Sequence, residues 1–385
     1  MFAELRNGHT EILVEQETGS PHVTVEPIEG QAVITSVERG SDAQALGLEV
    51  GMEILAVDGL SVKEMLDRVP RWRVAFASPK MRSYAAYQAL LDGPANRGVQ
   101  LTLKGKEPPP RIVTLKREIV RYDWEPDEDG VVEEEKPPVR GGRTDDGLAY
   151  VRLEAFEGES LQHYFDEAMD EAHDAPGLIL DLRDNYGGVL QDAFRALGRL
   201  FPRAFTIGEH CTPRRGAGDG AKCTEHRVEP HGKIYKGPIA VLIDENVYSA
   251  GELAACVLCR SGRARCFGRT TAGETDCVFK VDLPGGVARM SWAEFRPAFG
   301  PSLLGVGLAP DVAVERTLAD LRAGRDAELE AAREWLLRER TDASLTAAAG
   351  STGDPARGSR IPERSPSGRT HGNSRAKDAG PGRGR

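Results

Sequence analysis

The 385-residue chain has no apolar run approaching the roughly 18 residues that a membrane-spanning helix needs, so no membrane span is expected. It also lacks a basic surplus: 60 acidic against 50 basic residues leave a net charge of −10, which argues against a nucleic-acid partner. There is no glycine-rich phosphate cradle, so no nucleotide cofactor is expected. Acidic runs at residues 127–129 and 133–135 lack the oxygen-ligand spacing of a calcium loop, and no metal is assigned to them. Cysteine is sparse, at positions 211, 223, 256, 259, 266 and 277. Cys211 and Cys223 bracket a Gly- and Arg-rich loop and suit one disulfide if the protein is exported, whereas Cys256 and Cys259 read as small apolar residues of a helix. His210, Cys211, Cys223 and His226 form a weaker alternative, a metal set.

Against these absences stands a core-forming composition. Apolar residues make up 40% of the chain, and its length exceeds one typical domain, so two ordered domains and a tail are expected. Residues 1–21 form a short N-terminal segment. Within 22–118, alternation at 23–27 and 32–37 reads as strands, 40–47 as a turn and short helix, and 50–59 as a strand and tight turn. Residues 84–92 read either as a helix beside a groove or as an insertion. The stretch 119–146, with clustered acids, Pro137-Pro138 and Gly141-Gly142, reads as a solvated linker. From 147 to 338, strands at 147–153, 178–182, 240–243, 264–267 and 279–283 alternate with helices at 160–172 and 251–260, the pattern of a layered α/β core. Residues 339–385, rich in Ala, Gly, Ser, Pro and Arg, read as a disordered tail.

The most informative position is Ser249. The run Val241-Leu-Ile-Asp-Glu-Asn-Val-Tyr-Ser-Ala-Gly-Glu252 carries an apolar strand into a small-residue turn and then a helix. A serine there projects its hydroxyl beside the first free N–H groups of the helix, which can stabilise an oxyanion. Taken alone, the same pattern also fits an ordinary helix cap. A second strand, Gly177-Leu-Ile-Leu-Asp-Leu-Arg-Asp-Asn-Tyr-Gly-Gly188, ends in paired glycines that permit close backbone approach. Two further blocks are Cys266-Phe-Gly-Arg-Thr-Thr-Ala-Gly-Glu274 and Gly305-Val-Gly-Leu-Ala-Pro-Asp-Val-Ala313.

In order and spacing these blocks resemble the tail-specific, or C-terminal-processing, protease family over residues from about 5 to 318. The resemblance implies a crotonase-like layered α/β peptidase core with Ser249 as nucleophile. It also implies an oxyanion hole made by the Ala250 N–H and an N–H of Gly187 or Gly188. Where many members carry a lysine base about 25 residues after the serine, this chain has Glu274, a weak base when solvated. The segment Leu5-Arg-Asn-Gly-His9 resembles the motif of a lysine-less branch related to the tricorn protease core and to nisin-resistance-type peptidases, which implies His9 as the base. Judged alone, His9 also fits an ordinary turn histidine. Glu274 is the nameable third member.

The phrase Gly47-Leu-Glu-Val-Gly-Met-Glu-Ile-Leu-Ala-Val-Asp-Gly59 resembles the PDZ domains of this family, with Met52 where an aspartate is usual. It implies a mostly-β, substrate-presenting PDZ domain in which Gly51, Met52 and Ile54 contact the peptide. The expected function is a serine endopeptidase for peptides or unfolded protein tails, needing no cofactor. The alternative is a catalytically inactive PDZ and crotonase-like protein binding peptides or apolar ligands. The resemblance implies export, to the periplasm or outside the cell, yet no export leader precedes His9. Either a start lies upstream, with a leader and an N-terminal cap of which 1–21 is the remnant, or the protein is an intracellular form. Oligomeric state is left open.

Overall fold

The computed structural model describes residues 10–14, 18–105, 108–119, 138–212, 221–284 and 286–351. The chain up to Asp342 is one compact unit; in the second unit, from Ala343 onward, the described residues continue a helix that ends at Ser351.

At the centre of the first unit lies a six-stranded sheet in the order Val139–Arg143, Ala149–Leu153, Leu178–Asp181, Ile239–Ile243, Arg265–Gly268, Val312–Ala313. The first pairing is antiparallel and the rest are parallel. Leu178–Asp181 and Ile239–Ile243 are buried at every position, which explains the apolar runs Leu178–Leu180 and Ile239–Ile243: a parallel strand covered on both faces has no solvent side to alternate with. One face is covered by helices Leu161–Ala172, Leu190–Leu197 and Ser249–Arg260, through residues such as Phe165, Phe194 and Leu253. The opposite face packs Ile179, Ala240, Leu242 and Phe267 against Ala332 and Leu336 of helix Ala327–Ser351. The result is the layered α/β core expected from the alternation of elements.

Two sequence-based boundaries move. Val139–Arg143, read as linker, is the antiparallel edge strand of the core sheet. Four of its five residues are exposed, so it carries no apolar alternation, and Gly141 lets the backbone pass close to Ala168. The acidic runs at 127–129 and 133–135 lie outside the described residues. At the other end, helix Ala327–Ser351 continues well beyond residue 339, where the disordered tail was expected to begin. Its Ala-rich composition, poor in large side chains, is nonetheless favourable to helix.

Residues 23–116 hold a second, antiparallel sheet in the order Val23–Ile28, Gln31–Val37, Glu53–Val57, Gly98–Lys104, Arg111–Lys116. Its core is built by Val25, Ile34, Ile54, Leu101, Leu103 and Leu115. Helix Pro79–Gln88, capped by Ser78 through the Met81 N–H, packs beside the edge strand Val23–Ile28. Its other face enters the core domain: Met81, Tyr84 and Ala85 cluster with Ala272, Phe76 and Tyr248. The helix therefore bridges the small sheet and the core domain.

A third sheet joins Glu11–Val14, Gly286–Pro297, Phe205–Thr212 and Lys222–Val228, with Cys277–Leu283 also paired to Gly286–Pro297.

Candidate active site

Ser249 is the first residue of helix Ser249–Arg260 and adopts φ +48°, a left-handed conformation that L-residues avoid. Three backbone bonds hold it there. The Ser249 N–H donates to the Glu274 carbonyl at 3.0 Å, the Tyr248 N–H to the Asn185 carbonyl at 2.9 Å, and the Gly251 N–H to the Tyr248 carbonyl at 2.8 Å. Strain at a serine where an apolar strand turns sharply into a helix is the geometry of a nucleophile elbow.

The paired-glycine turn lies directly against this serine. A β-carbon at Gly187 would stand 2.8 Å from the Ser249 Cβ and 3.1 Å from the Ala250 N, and Gly187 has φ +95°. Gly188, at φ +121°, passes the Phe156 carbonyl so closely that a β-carbon would meet its oxygen at 2.5 Å. Asn185, fully buried, sets the turn: its Nδ2 donates to the Leu153 carbonyl at 2.9 Å and its Oδ1 accepts the Gly187 N–H at 2.9 Å. The Gly187 N–H is thus consumed internally. The Gly188 and Ala250 N–H groups have no acceptor among the described residues, and of the two glycines only Gly188 has a donor to spare. Gly251 completes the fit, since a β-carbon there would lie 2.7 Å from Asn185 Oδ1.

Behind the turn stands a charged scaffold. Asp181 is completely buried and accepts from Arg183, Tyr150 and Arg152. Burial works to raise its carboxyl, yet Arg183 and its other partners hold it below the usual carboxylate range. Arg183 in turn reaches Asp326 and Glu328 at 2.9 Å each. The Asp-Leu-Arg portion of the block is therefore structural, fixing the end of its strand.

Glu252 was visible in the sequence only as a spacing. It is fully buried, and its carboxylate accepts the Thr271 hydroxyl, the Gly273 N–H at 2.8 Å and the Glu274 N–H at 2.8 Å. Burial pushes its carboxyl up to about 7 although these donors pull the other way. Its place is to tie the 271–274 turn to the nucleophile helix. A lone acid immediately before the apolar run Leu253-Ala-Ala-Cys-Val-Leu258 was the available signal, because such a group needs donors wherever it is buried.

Glu274 is itself fully buried. Its carbonyl holds Ser249, and its carboxylate accepts the Ala77 N–H from the segment leading into helix Pro79–Gln88. His9 lies outside the described residues. The residue after it, Thr10, is buried and accepts the Ser291 N–H at 3.1 Å, and Glu11–Val14 pairs antiparallel with Gly286–Pro297.

Gly51, Met52 and Ile54 do not assemble a peptide-binding cradle. Ile54 is a core residue, 2% exposed. The Gly51 N–H donates to Ile34 and the Met52 N–H to Glu49, while Arg322 packs on Gly51 and donates to its carbonyl at 3.1 Å. The four-residue metal set also separates. Neighbours on a strand face opposite sides, so Cys211 bonds Cys223 in a disulfide while His210 and His226, 2.6 Å apart, pack among Phe194, Phe295 and Trp292. A second disulfide, Cys259–Cys266, replaces the apolar role read for Cys259; Cys256 is free and buried as expected.

Asp244, five residues before Ser249, accepts the Asp184 N–H at 3.1 Å and the Asn246 N–H at 3.0 Å. Burial first, and then the neighbouring Asp184, push its carboxyl up from 3.8 to about 7. As pH rises between these values the unfolded chain has released this proton and the folded chain still holds it. Stability contributed by this group therefore falls across the window and levels off above it. Asp244→Asn keeps the acceptor oxygen and removes the titration, so its melting temperature is expected to decline less than wild type from pH 4 to 7. Equal slopes in thermal melts would refute this assignment.

A strained serine, two N–H groups with spare donor capacity beside it and a buried scaffold fixing both define the site of a serine hydrolase. Residues 147–314 match peptidase family S41. The chain carries an S41 domain and is a serine-type peptidase. It is 25% identical over 361 residues to the carboxyl-terminal-processing protease of Synechocystis, covering 87% of this chain and 75% of that one. Over 121 residues it is 38% identical to the nisin-resistance protein of Lactococcus lactis subsp. lactis, covering 29% of this chain and 37% of the other. Among solved structures, mature CPAF complexed with lactacystin superposes with TM-score 0.67 at 17% identity, covering 88% of this chain and 86% of that one.

Proposed function

We propose that the protein is an endopeptidase that cuts peptides or unfolded protein tails through an acyl-enzyme on Ser249. The observation that carries this reading is the strained Ser249 packed against the Gly187-Gly188 turn, with the Gly188 and Ala250 N–H groups available beside it. Ser249 Oγ attacks the scissile carbonyl and gives its proton to His9, while the two N–H groups receive the oxyanion. His9 returns the proton to the departing amine, and water then releases the acyl group by the same steps. Glu274 supports the base.

The small domain serves as a PDZ-type presenter. Its edge strand Val23–Ile28 and the adjoining helix Pro79–Gln88 offer the arrangement by which a peptide adds a strand to a sheet. Because the same helix packs on Tyr248, a peptide held there lies near the nucleophile. The chemistry as written requires no cofactor, and export remains part of the reading. Among the described residues no helix is long and apolar enough to cross a membrane.

The test is digestion of a mixed peptide pool and an unfolded protein by the purified chain, read by mass spectrometry beside His9→Ala. Cleavage that falls by at least about 10³-fold in the variant is expected. Undiminished cleavage would remove His9 from the mechanism, and no cleavage by the wild-type chain would contradict the proposed function.

A further inference from the structure

Two sulfurs and a carboxylate from three separate elements converge outside the serine site. Cys259 lies in the last turn of helix Ser249–Arg260, Cys266 in strand Arg265–Gly268 and Asp311 in the sequence block 305–313. The two cysteines are joined as a disulfide with their Cα atoms 5.9 Å apart, and an Asp311 carboxylate oxygen and both sulfurs all lie within 4.8 Å of one another. The Cys266 N–H fixes the Asp311 carboxylate, donating to it at 2.8 Å. A neutral disulfide gains nothing from a carboxylate at its side, whereas two thiolates and a carboxylate are a ligand set for a zinc-like cation. Cys266 is completely buried, but Cys259 and Asp311 line a cleft of about 600 Å³ together with Arg263, Arg265 and Trp335.

We propose that Cys259, Cys266 and Asp311 form a site for a zinc-class divalent cation when the disulfide is reduced. A dithiol reductant supplies two electrons and two protons to open the S–S bond and is itself oxidised to a disulfide. The cation then displaces both thiol protons, because the thiolate is the ligand, and takes the ionised carboxylate as its third donor. Around zinc bound at about 2.3 Å, tetrahedral sulfurs stand roughly 3.8 Å apart, a separation that side-chain rotation provides once the S–S bond is open. The fourth position faces the cleft and takes water or a small ligand from it. Two thiolates and a carboxylate leave one negative charge around a divalent cation, and the cleft supplies its counterpart. Arg263 donates to the Leu200, Gly237 and Tyr235 carbonyls, Arg265 lies over the Phe267 and Trp335 rings, and neither is ion-paired among the described residues. Disulfide and metal are alternative closures of the same loop, selected by redox poise. Cys259 is ten residues from Ser249 on one helix, about 15 Å at 1.5 Å per residue, so the metal braces the nucleophile's helix and takes no part in the chemistry.

Glu209, Cys211 and Cys223 also lie within this distance of one another, so the experiment uses the full chain carrying Cys211→Ser/Cys223→Ser. The chain is reduced with a phosphine, freed of it under argon and titrated with cobalt(II), then zinc. One equivalent of cobalt is expected to give a near-ultraviolet sulfur-to-cobalt charge-transfer band and the visible bands of tetrahedral cobalt, which zinc bleaches. The unreduced chain is expected to give neither. Cys259→Ser is expected to abolish the charge-transfer band, and Asp311→Asn to weaken cobalt binding by at least about tenfold. Thermal melts establish that each variant is folded. Should Cys211→Ser/Cys223→Ser unfold the chain, the comparison is made in the wild-type background, where Cys259→Ser is expected to remove one thiolate-bound equivalent. A reduced chain without the charge-transfer band, or a band that Cys259→Ser leaves unchanged, overturns the proposal. The readout is spectral, so the outcome is independent of whether the chain cuts peptides.

Discussion

Ser249→Ala is expected to lower peptide cleavage by at least about 10⁴-fold while leaving the thermal melt close to wild type. The hydroxyl is the attacking group, and without it only binding and the two N–H groups remain. The substitution removes one oxygen and no bond that holds the turn, because Ser249 is fixed through its backbone to Glu274 and through Tyr248 to Asn185. The left-handed φ of +48° is already carried by a non-glycine residue, so alanine adds no new backbone demand. Cleavage retained within a factor of ten of wild type, by the same peptide-pool assay, would place the chemistry elsewhere.

Gly187→Ala is the second large effect, and it arises from geometry rather than from a lost reactive group. The added methyl would stand 2.8 Å from the Ser249 Cβ, closer than real β-carbons come, and 3.0 Å from the Tyr248 carbonyl, at a φ of +95°. The turn and the elbow must separate, which draws the Gly188 N–H away from the position the oxyanion would take. A loss of roughly 10²–10³-fold in kcat is expected, the scale of one oxyanion donor. A stability cost of about 1–3 kcal/mol from overpacking and backbone strain should accompany it. Unchanged kcat in steady-state assays, with the variant folded, would show that the turn does not take part.

The sequence made the central strands readable because a parallel strand buried on both faces reads as an apolar run, as Leu178–Leu180 and Ile239–Ile243 do. The proximity of Ser249 to the paired glycines followed from the order of blocks in a known family, not from any local pattern. What stayed hidden depended on partners far along the chain. Arg322 covers Gly51 from some 270 positions away, and the Ala77 N–H meets Glu274 across two domains. The edge strand Val139–Arg143 was invisible for the opposite reason, since exposure removed its apolar signature. Period-two alternation, applied to His210 and Cys211, would have separated the histidine pair from the disulfide without a structure.

Ser249 as an acylated nucleophile is tested most directly by peptide mapping by mass spectrometry after exposure to a serine-reactive fluorophosphonate. A single adduct on Ser249, formed in step with loss of peptide cleavage and absent from Ser249→Ala, is the predicted result. Loss of cleavage with the adduct on another residue, or full cleavage by a chain stoichiometrically modified at Ser249, would contradict it.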